Sequence, residues 1–227
     1  MNSIGNSTFV GCSALGKVTL YEGIVQIGES AFEGLANLSE MLLPDSIVTI
    51  GKSAFKNLAN WADAGIPASV ETIGAYAYSG CTKLVSIELP DRVTEIGDYA
   101  LQKCSGAASA KLSENLSKIS AYSFSGCSGL NNVTVPVSIT EIDVYAFNNC
   151  TGLERIDFCG NAPTIAETAF SNVTATCYYP AGNETYTAEI TTVDFGGDLL
   201  WTYEGASEDD SIYKCGSLHD SWRCNFR

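Results

Sequence analysis

SGCTKLVSIELPDRVTEIGDYAL, residues 79–101, decides the fold, because the chain writes it out again and again. Ile-Gly recurs at Ile4-Gly5, Ile27-Gly28, Ile50-Gly51, Ile73-Gly74 and Ile96-Gly97, and the isoleucine continues alone at Ile119, Ile142 and Ile165, always 23 residues on. Large apolar residues return in phase at Phe9, Phe32, Phe55, Tyr78, Leu101, Phe124, Phe147 and Phe170. Further columns run Leu15, Leu38, Trp61, Leu84, Ala107, Leu130, Leu153, and Leu20, Leu43, Ile66, Leu89, Leu112, Val135, Phe158. A fixed period of this length marks stacked copies of one supersecondary unit, filling residues 1 to about 179.

Within a copy, Leu84-x-x-Ile87-x-Leu89 ends in the alternation of a strand with one buried face, and Pro90 stops it. Ile73, Ala77 and Cys81 lie four apart with Tyr78 beside them, a spacing that predicts one or two turns of helix. Each copy therefore reads strand, proline turn, extended run to Ile-Gly, short helix. No copy can bury its apolar face alone, so neighbours must stack to make a core.

The period and the L-x-x-I-x-L wording lie within the range of leucine-rich repeats. The expected fold is an α/β repeat solenoid: a right-handed horseshoe of 23-residue repeats, with a parallel concave sheet and short helices on the convex side. The expected organisation is a solenoid over 1–179 with its first repeat incomplete, a C-terminal capping segment over 180–206, and a tail over 207–227.

LVSIELPDRVTEIGDYALQKC, residues 84–104, resembles almost letter for letter the wording L-x-x-I-x-L-P-x-x-V-x-x-I-G-x-x-A-F-x-x-C of the BspA-type (Treponema pallidum-like) leucine-rich repeat family. The likeness covers about four fifths of the chain. It implies a secreted or cell-surface bacterial protein that binds host or matrix proteins and performs no chemistry. A segment such as YPAGNETYT…FGGDLLW commonly follows the last repeat in that family, which implies a lid for Pro180 onward.

A formal net charge of −14 repels nucleic-acid phosphates and anionic membrane surfaces. No run approaches 18 apolar residues, so no membrane insertion is expected. MNSIGNSTFVGC carries no apolar export segment and begins inside a repeat, which suggests a longer parent bearing the signal. Of nine cysteines, Cys12, Cys81, Cys104, Cys127 and Cys150 share a column with Leu35, Leu58 and Val173, and so read as buried free thiols. Cys177 aligns with inward Ile156, whereas Cys159 replaces the turn proline. The tail holds the only histidine, His219, between Cys215 and Cys224. Three ligands fall short of a structural zinc site; the alternatives are a local Cys215–Cys224 disulfide and a disordered end.

Catalysis needs a nucleophile, base or metal in a pocket. The repeats supply serines, threonines and scattered acids without a partner histidine, so no enzyme and no cofactor is expected. The candidate binding surface is the outward half of each strand. One column reads Lys17, Glu40, Asp63, Ser86, Ser109, Asn132, Arg155, and the next includes Glu88, Lys111, Thr134 and Asp157. Adjacent repeats would place these side by side as a continuous face. A second candidate is the ladder Tyr76, Tyr99, Tyr122, Tyr145, which serves equally as a cover over the core. Besides protein binding, a spacer displaying other domains and an accessory carbohydrate-binding module remain open.

Overall fold

The computed structural model describes residues 2–203. Each repeat contributes up to three hydrogen-bonded rungs to neighbouring repeats, and residue type decides each rung. The first rung is the L-x-x-I-x-L strand: Lys17–Thr19, Glu40–Leu42, Ser86–Glu88, Ser109–Lys111, Asn132–Val135, Arg155–Phe158 and Thr174–Tyr179. Every pairing is parallel; up to Arg155–Phe158 the partners keep the sequence period, as in Ser109↔Asn132↔Arg155, and the last step shortens it, pairing Arg155 with Thr176. Asp198–Tyr203 adds itself in parallel to Thr174–Tyr179, forming an edge of the same sheet. The middle residue of each short strand points inward, so Met41, Ile87, Ala110, Val133 and Ile156 are buried while their flanking neighbours are not. Cys177 pairs with Ile156 and is likewise buried.

The second rung is the two-residue strand that ends at the repeated isoleucine, from Ser3–Ile4 through Glu95–Ile96 and from Lys118–Ile119 to Thr164–Ile165. The third replaces the expected helix. Two residues per repeat, four apart, adopt the left-handed conformation: Ser30 and Gly34, Ser53 and Asn57, Tyr76 and Gly80, Tyr99 and Lys103, Tyr122 and Gly126, Tyr145 and Asn149. A right-handed helix cannot run through such residues. Alternate amides leave the local turn for the next repeat instead: Ser30, Phe32 and Gly34 N–H donate to Lys52, Ala54 and Lys56 O, each at 2.8 Å.

The convex helices are therefore absent. The single helix among the described residues is Ala188–Thr191, outside the repeats. The α/β horseshoe expectation gives way to a parallel-strand solenoid whose remaining wall is hydrogen-bonded turns. The four-residue spacing of Ile73, Ala77 and Cys81 suits a helix and this double left-handed turn alike, which is why periodicity misassigned it. No helix among the described residues is long and apolar enough to cross a membrane.

The columns meet in one apolar core. Phe9, Phe32 and Phe55 stack with centroids 4.8 and 5.7 Å apart, and Phe124, Phe147 and Phe170 at 5.3 Å. Cys81, Cys104, Cys127 and Cys150 are buried free thiols, but Cys12 is exposed: it has no repeat stacked on its outer side among the described residues. Cys159 is disulfide-bonded. The expectations for Cys215, His219 and Cys224 lie outside the described residues.

Both strand ladders are interrupted once within the repeats. The short-strand ladder parts between Glu95–Ile96 and Lys118–Ile119. Up to that point the residue after the isoleucine is glycine, and a Cβ on Gly74 would sit 2.6 Å from Lys52 N, which real contacts do not allow. Ser120 is the first residue in that slot with a Cβ. Its hydroxyl, rather than its amide, bonds Ile96 O at 2.6 Å, and a cleft of about 400 Å³ opens beside it. The first-rung ladder parts at residues 63–65. There Gly65 has φ +46° and its N–H turns back to Asp63 Oδ1 at 3.0 Å. Asp and Gly are strand-poor residues, and this side-chain bond closes a local turn where a ladder bond belongs.

Candidate functional site: the strand face and its notch

The outward strand positions form the surface on which the sequence placed its candidates. Lys17, Glu40, Glu88, Ser109, Lys111, Asn132 and Thr134 are exposed on strands, Asp63 is exposed in the interrupted segment, and Ser86, Arg155 and Asp157 are half-buried. Their order follows the pairings Lys17↔Glu40, Ser86↔Ser109, Glu88↔Lys111, Asn132↔Arg155 and Thr134↔Asp157. The face is not one unbroken row. Residues 63–65 carry no strand, so Lys17 and Glu40 stand on one side of the break and Ser86 to Asp157 on the other.

Electrostatics differ along the face. Lys17 Nζ reaches Glu40 Oε2 at 2.7 Å; this hydrogen bond raises the lysine pKa and lowers that of the glutamate. Both are well exposed, so the pair carries little stability. At the other end, Arg155 Nε approaches both oxygens of Asp157 at 2.8 and 2.9 Å, while its guanidinium lies 3.8 Å over the Tyr178 ring. The fork and the stacking fix this arginine as a lysine could not be fixed.

At the break the chain leaves a notch of about 370 Å³. Asp63, Ala64, Gly65 and Ile66 line one side, Leu84 to Glu88 the other, and Tyr78 and Leu101 contribute from the core. The outward columns contain Asp63, Ser86 and Glu88, but periodicity does not show the recess that Ala64 and Gly65 open between them. The strand-poor Asp63-Ala64-Gly65 was the available signal.

The tyrosine ladder lies on the turn wall, away from the strand face. Tyr76, Tyr99, Tyr122 and Tyr145 stack with centroids 4.6, 4.5 and 4.8 Å apart, and Lys56 Nζ sits 5.7 Å from the Tyr76 centroid. Each inner ring has both faces covered by its neighbours, so the ladder offers edges and hydroxyls rather than flat platforms.

A family model for the BspA type leucine rich repeat region matches this chain in six copies, over residues 1–65 and 49–176. A search of curated proteins finds no match. Among solved structures, a leucine-rich repeat protein from Bacteroides ovatus is similar at 22% identity and a TM-score of 0.60, covering 90% of this chain and 67% of that one. The leucine-rich repeat protein of Treponema pallidum is 29% identical with a TM-score of 0.56, covering 69% of this chain and 65% of that one. A leucine rich cell surface protein from Faecalibacterium prausnitzii is 22% identical with a TM-score of 0.52, covering 80% and 64% respectively. This chain thus spans about two thirds of the length of each of these three. With the 23-residue period, the parallel stacking and the matched residues together, the chain belongs to the BspA-type leucine-rich repeat family.

Proposed function

We propose that this chain is a non-catalytic protein-binding module of a bacterial cell surface or secreted protein, that the strand face is its contact surface, and that its partner is a host or matrix protein. One observation carries the reading: the inward columns are chemically uniform, whereas the outward positions on the same strands vary from lysine to aspartate to asparagine while standing in fixed parallel register. A rigid ladder bearing varied side chains is suited to recognition, since little ordering entropy is lost on contact. The family membership and the cell-surface relative support the location. Carbohydrate stacking is disfavoured because the inner tyrosine faces are already covered.

The test is binding of the 227-residue chain to a panel of extracellular-matrix and serum proteins at several salt concentrations. Ser109→Arg with Asn132→Arg on the strand face should abolish capture of any partner found. Thr94→Arg with Thr140→Arg, on exposed positions beside the short strands, should not. Equal loss from both pairs, or no capture by any panel member, counts against the reading. If acidic groups steer the partner, affinity falls as salt screens them.

A further inference from the structure

The two strand ladders part at different levels and on different walls, whereas the turn wall runs through without a gap. Phe9 N–H donates to Ala31 O, and the equivalent bond recurs at every step of the turn wall as far as Phe147 N–H and Ala169 O, always between 2.7 and 2.9 Å. At the first break, residues 62–65, no backbone hydrogen bond among the described residues reaches Glu40–Leu42, and Val85 N–H to Ala62 O at 3.1 Å is the one that ties the segment to the following repeat. The short-strand wall is whole at that level, with Gly74 N–H on Ile50 O and Gly97 N–H on Ile73 O, both at 2.8 Å. At the second break the roles reverse. Ser120 Oγ holds Ile96 O, while the first-rung strands pair across that level, Ser86 with Ser109 and Glu88 with Lys111. Each break also carries a void, of about 370 Å³ at the first and about 400 Å³ at the second. A close-packed stack transmits strain rather than yielding, so the voids mark where this one can yield.

We propose that the solenoid bends at both breaks, each time by opening or closing the parted wall about the intact ones, with the turn wall as the continuous spine. Ala62, Ala64 and Gly65 are small residues outside any strand, as hinge positions often are. The stack from Tyr76 to Tyr145 spans the second break along the spine, so its rings keep neighbouring turns in contact while the short-strand wall opens. Movement at the first break changes the angle between the strands before it, Lys17–Thr19 and Glu40–Leu42, and those after it, from Ser86 onward. Movement at the second leaves the strand face paired and changes the short-strand wall alone. A partner touching strands on both sides of the first break would select one curvature. The motion itself requires no partner, so it stands or falls apart from the strand-face reading.

The test is the distribution of distances between pairs of nitroxides in the whole chain, attached through a keto amino acid that leaves the cysteines untouched. The pairs Lys17–Ser109 and Ser86–Thr176 lie equally many repeats apart on the strand face, about 19 Å at the strand spacing of a sheet, and the first pair alone straddles a break. Its distribution should be the broader of the two. On the short-strand wall, Thr72–Thr164 straddles the second break. That distribution should narrow in Ser120→Ala, where the hydroxyl on Ile96 O is gone and the backbone bond can form as it does at Asp143 and Ala166, while Lys17–Ser109 should not change. Hydrogen exchange of the unlabelled chain gives an independent reading. Val85 N–H to Ala62 O and Ala108 N–H to Val85 O are the same bond one repeat apart, both at 3.1 Å, and the Val85 amide should exchange sooner because its acceptor belongs to the hinge. A Lys17–Ser109 distribution as narrow as that of Ser86–Thr176, a Thr72–Thr164 width that Ser120→Ala leaves unchanged, or equal protection of Val85 and Ala108 overturns the proposal.

Discussion

Single residues explain why particular columns hold the types they do. The Sγ atoms of Cys81, Cys104, Cys127 and Cys150 lie 3.2, 3.3, 3.3 and 3.1 Å from the carbonyl oxygens of Phe55, Tyr78, Leu101 and Phe124, so each thiol donates to the turn of the preceding repeat. Leucine fills the same space without that donor. Burial pushes the Cys81 and Cys127 thiols up from 9.0 to about 12. Unfolded thiols ionise near 9 and folded ones resist until about 12, so their stabilising contribution is complete below pH 9 and drains as pH climbs toward 12. Denaturant midpoints measured from pH 8 to 11 should fall, and replacing Cys81 and Cys127 with Ser should flatten the fall. The glycine slot behaves with equal sharpness. Gly74→Ala, whose Cβ would meet Lys52 N at 2.6 Å, should cost about 2–3 kcal/mol by calorimetry. Ser120→Gly should bring new protection from exchange to its own amide, because the hydroxyl that occupies Ile96 O is removed. Column reading picked out the glycines and thiols as regular features. That Ser120 would part a ladder was hidden, because the competing bond from its hydroxyl to Ile96 O depends on side-chain placement; Asp143 and Ala166 carry a Cβ in the same slot and keep their backbone bonds to Ile119 and Ile142 O.

Elements show a competition between backbone strain and stacking. Tyr76, Tyr99, Tyr122 and Tyr145 hold φ between 56° and 60°, where a bulky L-residue is disfavoured by about 1–2 kcal/mol. Ser30 and Ser53 occupy the same slot with φ 52° and 53°. The turn therefore imposes the conformation, and stacking makes tyrosine tolerable in it, each aromatic pair contributing about 0.5–1.5 kcal/mol. Tyr122 stacks on two tyrosines and Tyr76 on one. Tyr122→Ser should accordingly destabilise by about 1 kcal/mol more than Tyr76→Ser in chemical denaturation; equal losses would mean that the rings act only as a cover. The register of this ladder was legible from the sequence. Its conformation was not, since Ala77, Tyr78 and Cys81 follow Tyr76 with spacing that a helix shares. The first-rung strands were legible because alternation there has no rival reading. The break at Asp63-Ala64-Gly65 is signalled by strand-poor residues in a strand slot.

For the whole molecule, stability is a sum over neighbours, because every rung passes its hydrogen bonds to an adjacent repeat and the core is shared across them. A charge placed in an inward column therefore harms several repeats, whereas one on the strand face touches little. The period alone made this division visible, and the exposure of Lys111 beside buried Ala110 and Leu112 agrees with it. What the face recognises depends on partners, to which a repeat pattern carries no reference. The most direct measurement is thermal unfolding of Ile96→Asp beside Lys111→Glu. Ile96 is buried, so an unpaired carboxylate there should abolish the cooperative transition or lower it by more than about 4 kcal/mol. Lys111→Glu should melt within about 0.5 kcal/mol of the parent. Comparable losses from the two substitutions would contradict the assignment of inward and outward columns and, with it, the stacked core.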